Sequence, residues 1–373
     1  MAVTNSIGGW QLLRLRSASQ LLDRRVAGEP ETVVRALLAV QAQDRTSWRL
    51  ALRARAAGIT AADVNHRLTD RRSLIVAWLN RGTLHTICSE DYSWLLALTA
   101  PSQVTANSRR LAQEGLEPEV VDRAVAFIEG ALATEGPQTR TELRERLVDR
   151  GFRTDGQAMV QLLFATVNRG VAVLGPMKGV HQAFAHAREW LGRAAEPPTG
   201  EWREPALAEL ARRYLIGHGP ATQHDLAKWA GLPLRDARSG LRSIGSDLVE
   251  MDGGLLDLAN RTAAADSEEP GTRAPALPPR LLPAWDPCLV GWAAREPFLQ
   301  REDESLVIPP GGGLFRPVAT AAGVVAATWN IRRERERAII GIDPFRPLDA
   351  DASAGLTAEA EDVARFEGMA LAR

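Results

Sequence analysis

The sequence predicts an α+β protein: three tandem winged-helix (helix-turn-helix) units, then a small C-terminal β-barrel or sheet with a closing helix. Three observations lead there. An order of helix, capped helix, second helix and short hairpin is spelled three times before residue 262. Pro137, Thr139 and Leu143 recur as Pro220, Thr222 and Leu226 at one constant offset, whereas Asn-Arg-Gly recurs at 80–82 and 168–170 with a different one. Unequal offsets argue against a fixed-period solenoid. Past a Pro-containing linker, the chain turns to short apolar runs bounded by turn residues, which read as strands.

The first unit, 1–120, opens with "WQLLRLRSASQLL", breaks at Gly28-Glu29-Pro30, and continues with a helix whose buried side is Val33, Val34, Leu37, Leu38 and Val40. In "TAADVNHRL" Thr60 caps a helix, with Asp63 at capping-box spacing. "RRSLIVAWLNRG" reads as a further helix stopped by Gly82, followed by the strand "TLHTIC". The second unit, 121–195, gives "DRAVAFIEGALA", a Gly136-Pro137 break, a helix capped by Thr139 with Glu142, "GQAMVQLLFATVNRG" stopped by Gly170, and a hairpin. The third, 200–262, repeats this with Gly219-Pro220, Thr222 and Asp225, "LRDARSGLRSI" and a hairpin turning at Asp252-Gly253-Gly254. "GRAAEPPTGEWREP" and "RTAAADSEEPGTRAPALPPR" are connectors by composition. In the last region, 280–373, "LLPAWDPCLVGW", "SLVIPP", "LFRPVATAAGVVAATWNI" and "AIIGIDPF" are strand-like, 357–372 reads as the closing helix, and "RRERER" at 332–337 is a solvated edge.

Composition bounds the function. The 373 residues are 45% hydrophobic and 24% charged, as in folded soluble chains, and call for several modules. The net charge of −1 does not announce a nucleic-acid binder. Lys178 and Lys228 are the only lysines, so arginine, suited to bidentate phosphate contact, carries nearly all the positive charge. Cys88 and Cys288 lack metal-ligand or disulfide-framework spacing, and no metal or cofactor is expected. Without a signal-peptide pattern or a membrane-spanning run, the expected location is cytoplasmic. P-loop, dinucleotide and G-x-S-x-G patterns are absent.

The richest local feature is Val40-Gln41-Ala42-Gln43-Asp44-Arg45, which closes an apolar helical run. Residues two apart do not face each other on a helix but point the same way in an extended chain. Two amides aimed into one cavity could hold a water, or line a developing cation with carbonyl dipoles. Read locally, they are ordinary surface or capping amides. In "RGTLHTI" Thr83 and His85 share one strand face, where His85 is either a hydrogen-bonded strand residue or a functional one. Pro283-Ala284-Trp285-Asp286-Pro287 places a carboxylate in a tight turn, a place where Asp commonly accepts backbone N–H groups. Tandem winged helices make double-stranded DNA the default partner, with phosphate contacts expected from Arg45, Arg81, Arg109, Arg110 and Arg316. "GQAMVQLLFATVNRG" has few charged side chains for reading bases and is expected to pack partly against a neighbour.

Together, "LLAVQAQDRTSWRLALRAR", "RGTLHTICSEDYSWLLALTAP", "LLPAWDPCLVGWAARE" and "GGLFRPVATAAGVVAATW" resemble the AlkZ/YcaQ-like family of bacterial winged-helix DNA glycosylases, in order and over nearly the whole chain. Gln-x-Gln at Gln41 and Gln43 resembles the AlkZ branch; the other branch has Asp at the second position. The resemblance implies a monofunctional glycosylase that excises bulky N7-alkylguanines from double-stranded DNA. Unhooking of interstrand crosslinks, and a role in base excision repair or in self-resistance to a DNA-alkylating antibiotic, come with it. It implies catalysis by Gln41 and Gln43, a cleft lined by Thr83, His85 and Asp286, and no cofactor. Three unequal units in one chain fit a monomer. The competing class is a non-catalytic winged-helix regulator or a genotoxin-binding resistance protein, which needs no Gln-x-Gln geometry.

Overall fold

The computed structural model describes residues 8–44, 47–192, 201–261, 276–311 and 313–372. Arg45 and most of both Pro-containing connectors lie outside them. In chain order the elements are α1 (Gly9–Ser19), α2 (Pro30–Leu37), β1 (Val40–Gln41), α3 (Trp48–Arg55), α4 (Ala61–Thr69), β2 (Leu74–Trp78), β3 (Leu84–Cys88) and α5 (Tyr92–Gln113). Next come α6 (Pro118–Glu135), β4 (Gln138–Thr139), α7 (Arg140–Asp149), α8 (Ala158–Asn168), β5 (Ala172–Lys178), β6 (His181–His186) and α9 (Ala187–Leu191). Then follow α10 (Arg203–His218), α11 (Gln223–Ala230), α12 (Leu234–Ser243), β7 (Leu248–Met251) and β8 (Leu255–Leu258). The chain finishes with β9 (Arg280–Leu282), β10 (Val318–Ala321), β11 (Val324–Glu334), β12 (Arg337–Pro344), α13 (Ala350–Phe366) and β13 (Ala370–Leu371). No helix among the described residues is long and apolar enough to cross a membrane.

All three caps read from the sequence form as reciprocal hydrogen bonds. The Thr60 N–H donates to Asp63 Oδ2 (2.8 Å) and the Asp63 N–H to Thr60 Oγ1 (3.2 Å). Thr139 and Glu142 do the same at 2.6 and 3.3 Å, and Thr222 and Asp225 at 2.8 and 3.2 Å. Each satisfies orphan N–H groups at a helix start.

Three stretches differ in kind from their sequence reading. Pro287–Val290, within the strand-like "LLPAWDPCLVGW", and Glu304–Val307, at the strand-like "SLVIPP", are short helices. "RRSLIVAWLNRG" is strand β2 followed by a 3-10 turn at Asn80–Gly82, not a helix. Leu74–Ala77 are buried without a break; a short, continuous apolar run containing β-branched residues is what a strand covered on both faces looks like. The capped helix α4 therefore stands directly before a hairpin, whereas α8 and α12 intervene after the capped α7 and α11. Asn80-Arg81-Gly82 turns a hairpin while Asn168-Arg169-Gly170 ends helix α8, so the shared triplet marks different structural positions. Two boundaries also move. The apolar helix ends at Leu37, and the closing helix starts at Ala350, where Asp349 accepts the Ala352 N–H (2.7 Å).

By packing, the chain divides into two compact units, whose bounds are not those of the four spans read from sequence. The first comprises 8–64, 207–229 and 233–372 of the described residues. Its principal sheet runs β9-β10-β11-β12-β13, open at both ends and antiparallel except between β12 and β13. It is a curled half-barrel, intermediate between the barrel and the sheet anticipated. Helix α13 is tied to it where Glu359 Oε2 accepts the Leu281 N–H (3.1 Å). Residues 332–337 are exposed at the tip of the β11–β12 hairpin, as their charge pattern foretold.

The second unit comprises 65–192, 201–206 and 230–232 of the described residues. Its strands run β3-β2-β5-β6-β4, and the Val76–Leu174 pairing joins two hairpins in one sheet. Trp78 packs against Phe164 and Phe184 (ring centroids 5.6 and 6.4 Å). Helix α8 is almost wholly buried, and Gln161 Oε1 accepts from Asn107 Nδ2 of α5 (2.7 Å). That agrees with the packing role its apolar composition suggested.

Candidate active site and nucleic-acid contacts

The glutamine segment begins where α2 is broken. Val33, Val34, Leu37 and Leu38 are completely buried. Leu38 has φ 64° and ψ −47°, and the Ala39 N–H donates to the Leu37 carbonyl oxygen (2.8 Å). This is a γ-turn of the positive-φ form, which is rare and costs a bulky residue about 1–3 kcal/mol. The chain leaves it extended through Val40 and Gln41, and Ala42 and Gln43 have no helical structure. The two amides are thus not on opposite sides of an unbroken helix. Gln41 is 8% exposed and Gln43 is exposed. Asp44 Oδ1 accepts the Ser47 N–H (2.8 Å), turning the chain toward α3.

Helix α3 fixes the far side of this segment. All eight of its residues are buried, three of them arginines. Arg55 and Asp286, both 0% exposed, form a bidentate pair at 2.9 and 2.7 Å. Arg55 also donates from Nε to the Gln20 carbonyl oxygen (2.8 Å) and from Nη2 to Gln20 Oε1 (3.0 Å). Arg53 donates to Glu359 Oε2 (3.0 Å), Asp362 Oδ2 (3.1 Å) and the Leu281 carbonyl oxygen (2.5 Å). Buried charges paired in this way hold an element in one place, because losing a partner strands a buried charge. These arginines were missed as important from sequence. Their signal was there: charges spaced through an apolar helix in "WRLALRAR" cannot all face water.

Asp286 is fully buried: both carboxylate oxygens lie on Arg55, and Oδ1 also accepts the Cys288 N–H (3.0 Å). The backbone N–H contact is the one its tight turn suggested.

In the second unit Thr83 and His85 sit at the start of β3. Thr83 Oγ1 donates to the Asn80 carbonyl oxygen (3.1 Å), and His85 Nδ1 lies 2.9 Å from the Thr83 carbonyl oxygen. A carbonyl only accepts, so Nδ1 carries the proton and neutral His85 keeps its lone pair on Nε2. Burial first, then the Arg81 charge, push its pKa down to about 3, against a smaller raising effect of the Thr83 bond. In this neutral form His85 can accept a hydrogen bond at Nε2. The Gln41–Gln43 and Thr83–His85 pairs belong to separate compact units.

Among the expected phosphate contacts, Arg109 and Arg110 are exposed near the end of α5. Arg81 is half-buried at φ 56° in the hairpin turn. Arg316 is exposed, its Nη1 donating to the Leu306 carbonyl oxygen (3.2 Å). Cys88, Glu90 and Asp91 bring potential ligand atoms within 4.8 Å of one another, but Asp91 Oδ1 already accepts the Trp94 indole N–H (3.2 Å).

A family model described as "DNA glycosylase AlkZ-like" matches residues 34–366. Among solved structures, the chain is similar to the Streptomyces sahachiroi DNA glycosylase AlkZ. The TM-score is 0.75 and the identity 25%, over 98% of both chains. No curated protein sequence matches.

Proposed function

The chain belongs to the AlkZ-like DNA glycosylase family and is a DNA glycosylase; from that premise we propose that it hydrolyses bulky N7-alkylguanine adducts through Gln41 and Gln43. The observation that supports this is the broken helix. Two amides stand two residues apart on a chain that has left helical geometry, one nearly buried and the other exposed. The non-catalytic alternative loses its ground in a chain of this family.

Alkylation at N7 makes the guanine cationic, so its bond to C1′ breaks without a general acid. The bonding pair leaves with the base, which becomes neutral. The oxygen of water then bonds to C1′, and the water's proton passes to solvent. In this reading Gln43 orients that water through its amide carbonyl. Gln41 orients Gln43, or sets its carbonyl dipole against the oxocarbenium-like sugar. Preorganised dipoles of this kind contribute most where charge develops in the transition state. A carboxylate would be a stronger base, but a leaving group already activated does not need one. The neutral state of His85 accords with chemistry that calls for no acid.

We also read the three helical repeats as winged helices that grip double-stranded DNA as a monomer. Arg81, Arg109, Arg110 and Arg316 are the candidate phosphate contacts, Thr83 and His85 candidate cleft residues of the second unit. An open cleft would let a bulky or crosslinked adduct be cut without the full extrusion most base-processing enzymes use. A panel of N7-alkylguanine duplexes, from methyl to bulky intercalating adducts and a crosslink, assayed for free base without heat, tests the substrate class. Gln43→Ala should slow release about 100-fold. A Gln43→Ala protein working at the wild-type rate refutes the assignment.

A further inference from the structure

We infer that the γ-turn at Leu38 is the positioning device for the Gln41–Gln43 segment, and that Gly217, distant in sequence on α10, is the residue that allows the turn to be clamped. The inference rests on the reading of the two amides given above.

The C-terminal end of α2 is gripped from outside. Arg213 Nη2 of α10 donates to the Arg35 carbonyl oxygen (3.1 Å), one of the orphan acceptors of the last turn. Four residues on, the Gly217 backbone lies so close that a Cβ there would come 2.7 Å from the Ala36 carbonyl oxygen and 3.0 Å from Leu37 Cα. Both are backbone atoms and cannot swing aside. Gly217 is fixed in turn by Gln20, whose Nε2 donates to its carbonyl oxygen (2.6 Å). The gap therefore admits a hydrogen and nothing larger.

The turn follows at once. Glycine would adopt φ 64° freely, yet leucine stands there, fully buried, with Leu37 and Val40 fully buried on either side. A strained backbone on a bulky residue persists only where surrounding packing over-determines it. Here the packing comes from α10 on one side and the buried Leu38 side chain on the other. Gln41 lies three residues beyond, so a change in the turn carries directly into where the amides point. Leu38 and Gly217 touch no substrate in this scheme; they act through Gln41 and Gln43.

The test is single-turnover base release with enzyme in excess, on the N7-alkylguanine duplex that the wild type cleaves fastest, with duplex affinity measured in parallel. Leu38→Ala keeps the conformational penalty and loses the buried side chain that sustains the turn. Gly217→Ala pushes on α2 from outside. Each is expected to slow release about tenfold or more, since small misplacements at a reacting centre cost that much, while affinity stays at the wild-type value. Leu38→Gly, at ease with a positive φ, should release base faster than Leu38→Ala. A purely structural role would lower the amount of folded enzyme and leave the rate per folded molecule unchanged. Should the Leu38 variants fail to fold, Gly217→Ala carries the test. Wild-type rates in the Leu38 and Gly217 variants beside a slow Gln43→Ala overturn this inference alone. A Gln43→Ala enzyme at the wild-type rate overturns the reading of the amides and this inference with it.

Discussion

Residues 40–48 and 138–142 are both junctions in which a two-residue strand containing a glutamine leads toward a helix, and they hold that helix in opposite ways. At the second junction the polar side chains serve structure. Thr139 and Glu142 close a capping box on α7, and Gln138 is buried with its amide toward the Ala131 carbonyl oxygen (3.4 Å). Lys178 and the Thr139 N–H hold the Glu142 carboxyl down at about 2, keeping the box charged over a wide pH range. At the first junction the Ser47 side chain makes no cap hydrogen bond to α3, and the helix is pinned through the buried pairs of Arg53 and Arg55. A helix anchored from its far end leaves its entry segment to other work, and the two amides stand in that segment.

Arg55→Met strands Asp286 as a buried charge and should cost about 3–5 kcal/mol in urea unfolding. A loss under 1 kcal/mol would mean that α3 is not held this way. Gln43→Ala, slower by about 100-fold, should leave unfolding untouched, while Gln138→Ala should do the reverse. Equal effects on rate at the two junctions would erase the distinction.

His85 tests whether the second unit's buried polar group behaves as its surroundings dictate. An unfolded histidine titrates near about 6.5, the folded one at about 3. Between those values the unfolded chain binds a proton that the folded chain does not. Stability should therefore fall on acidification through that window by up to ~1.4 kcal/mol per pH unit, with no His85 contribution above it. The difference between wild type and His85→Gln, followed from pH 8 to pH 4, should be flat at first and then show this slope. A difference that stays flat throughout would place the His85 pKa near normal.

The smallest effects bear most directly on capping. Thr139→Ala should lose about 1 kcal/mol, and Ser47→Ala, at the start of α3, only a few tenths of a kcal/mol. A Ser47 effect as large as that of Thr139 would show that the first junction is capped after all.

Local chemistry was legible. All three Thr caps form because a Thr hydroxyl and an acidic side chain three residues on need only each other and two N–H groups. The α2 start at Pro30 and the exposed "RRERER" edge are equally local. "LIVAW" was misread because periodicity cannot separate a strand covered on both faces from a buried helix. The role of Asp286 turned on Arg55, which is 231 residues away in the chain.

The sequence by itself determined the caps and the presence of two amides in a Gln-x-Gln spacing just past an apolar helix. Those follow from interactions within a few residues. Only the tertiary structure decided that the helix breaks at Leu38, that Gly217 lies against its end, and that three arginines of α3 turn inward. A positive φ on leucine and a buried guanidinium are both unfavourable in isolation, and packing and partners from distant segments make them stable.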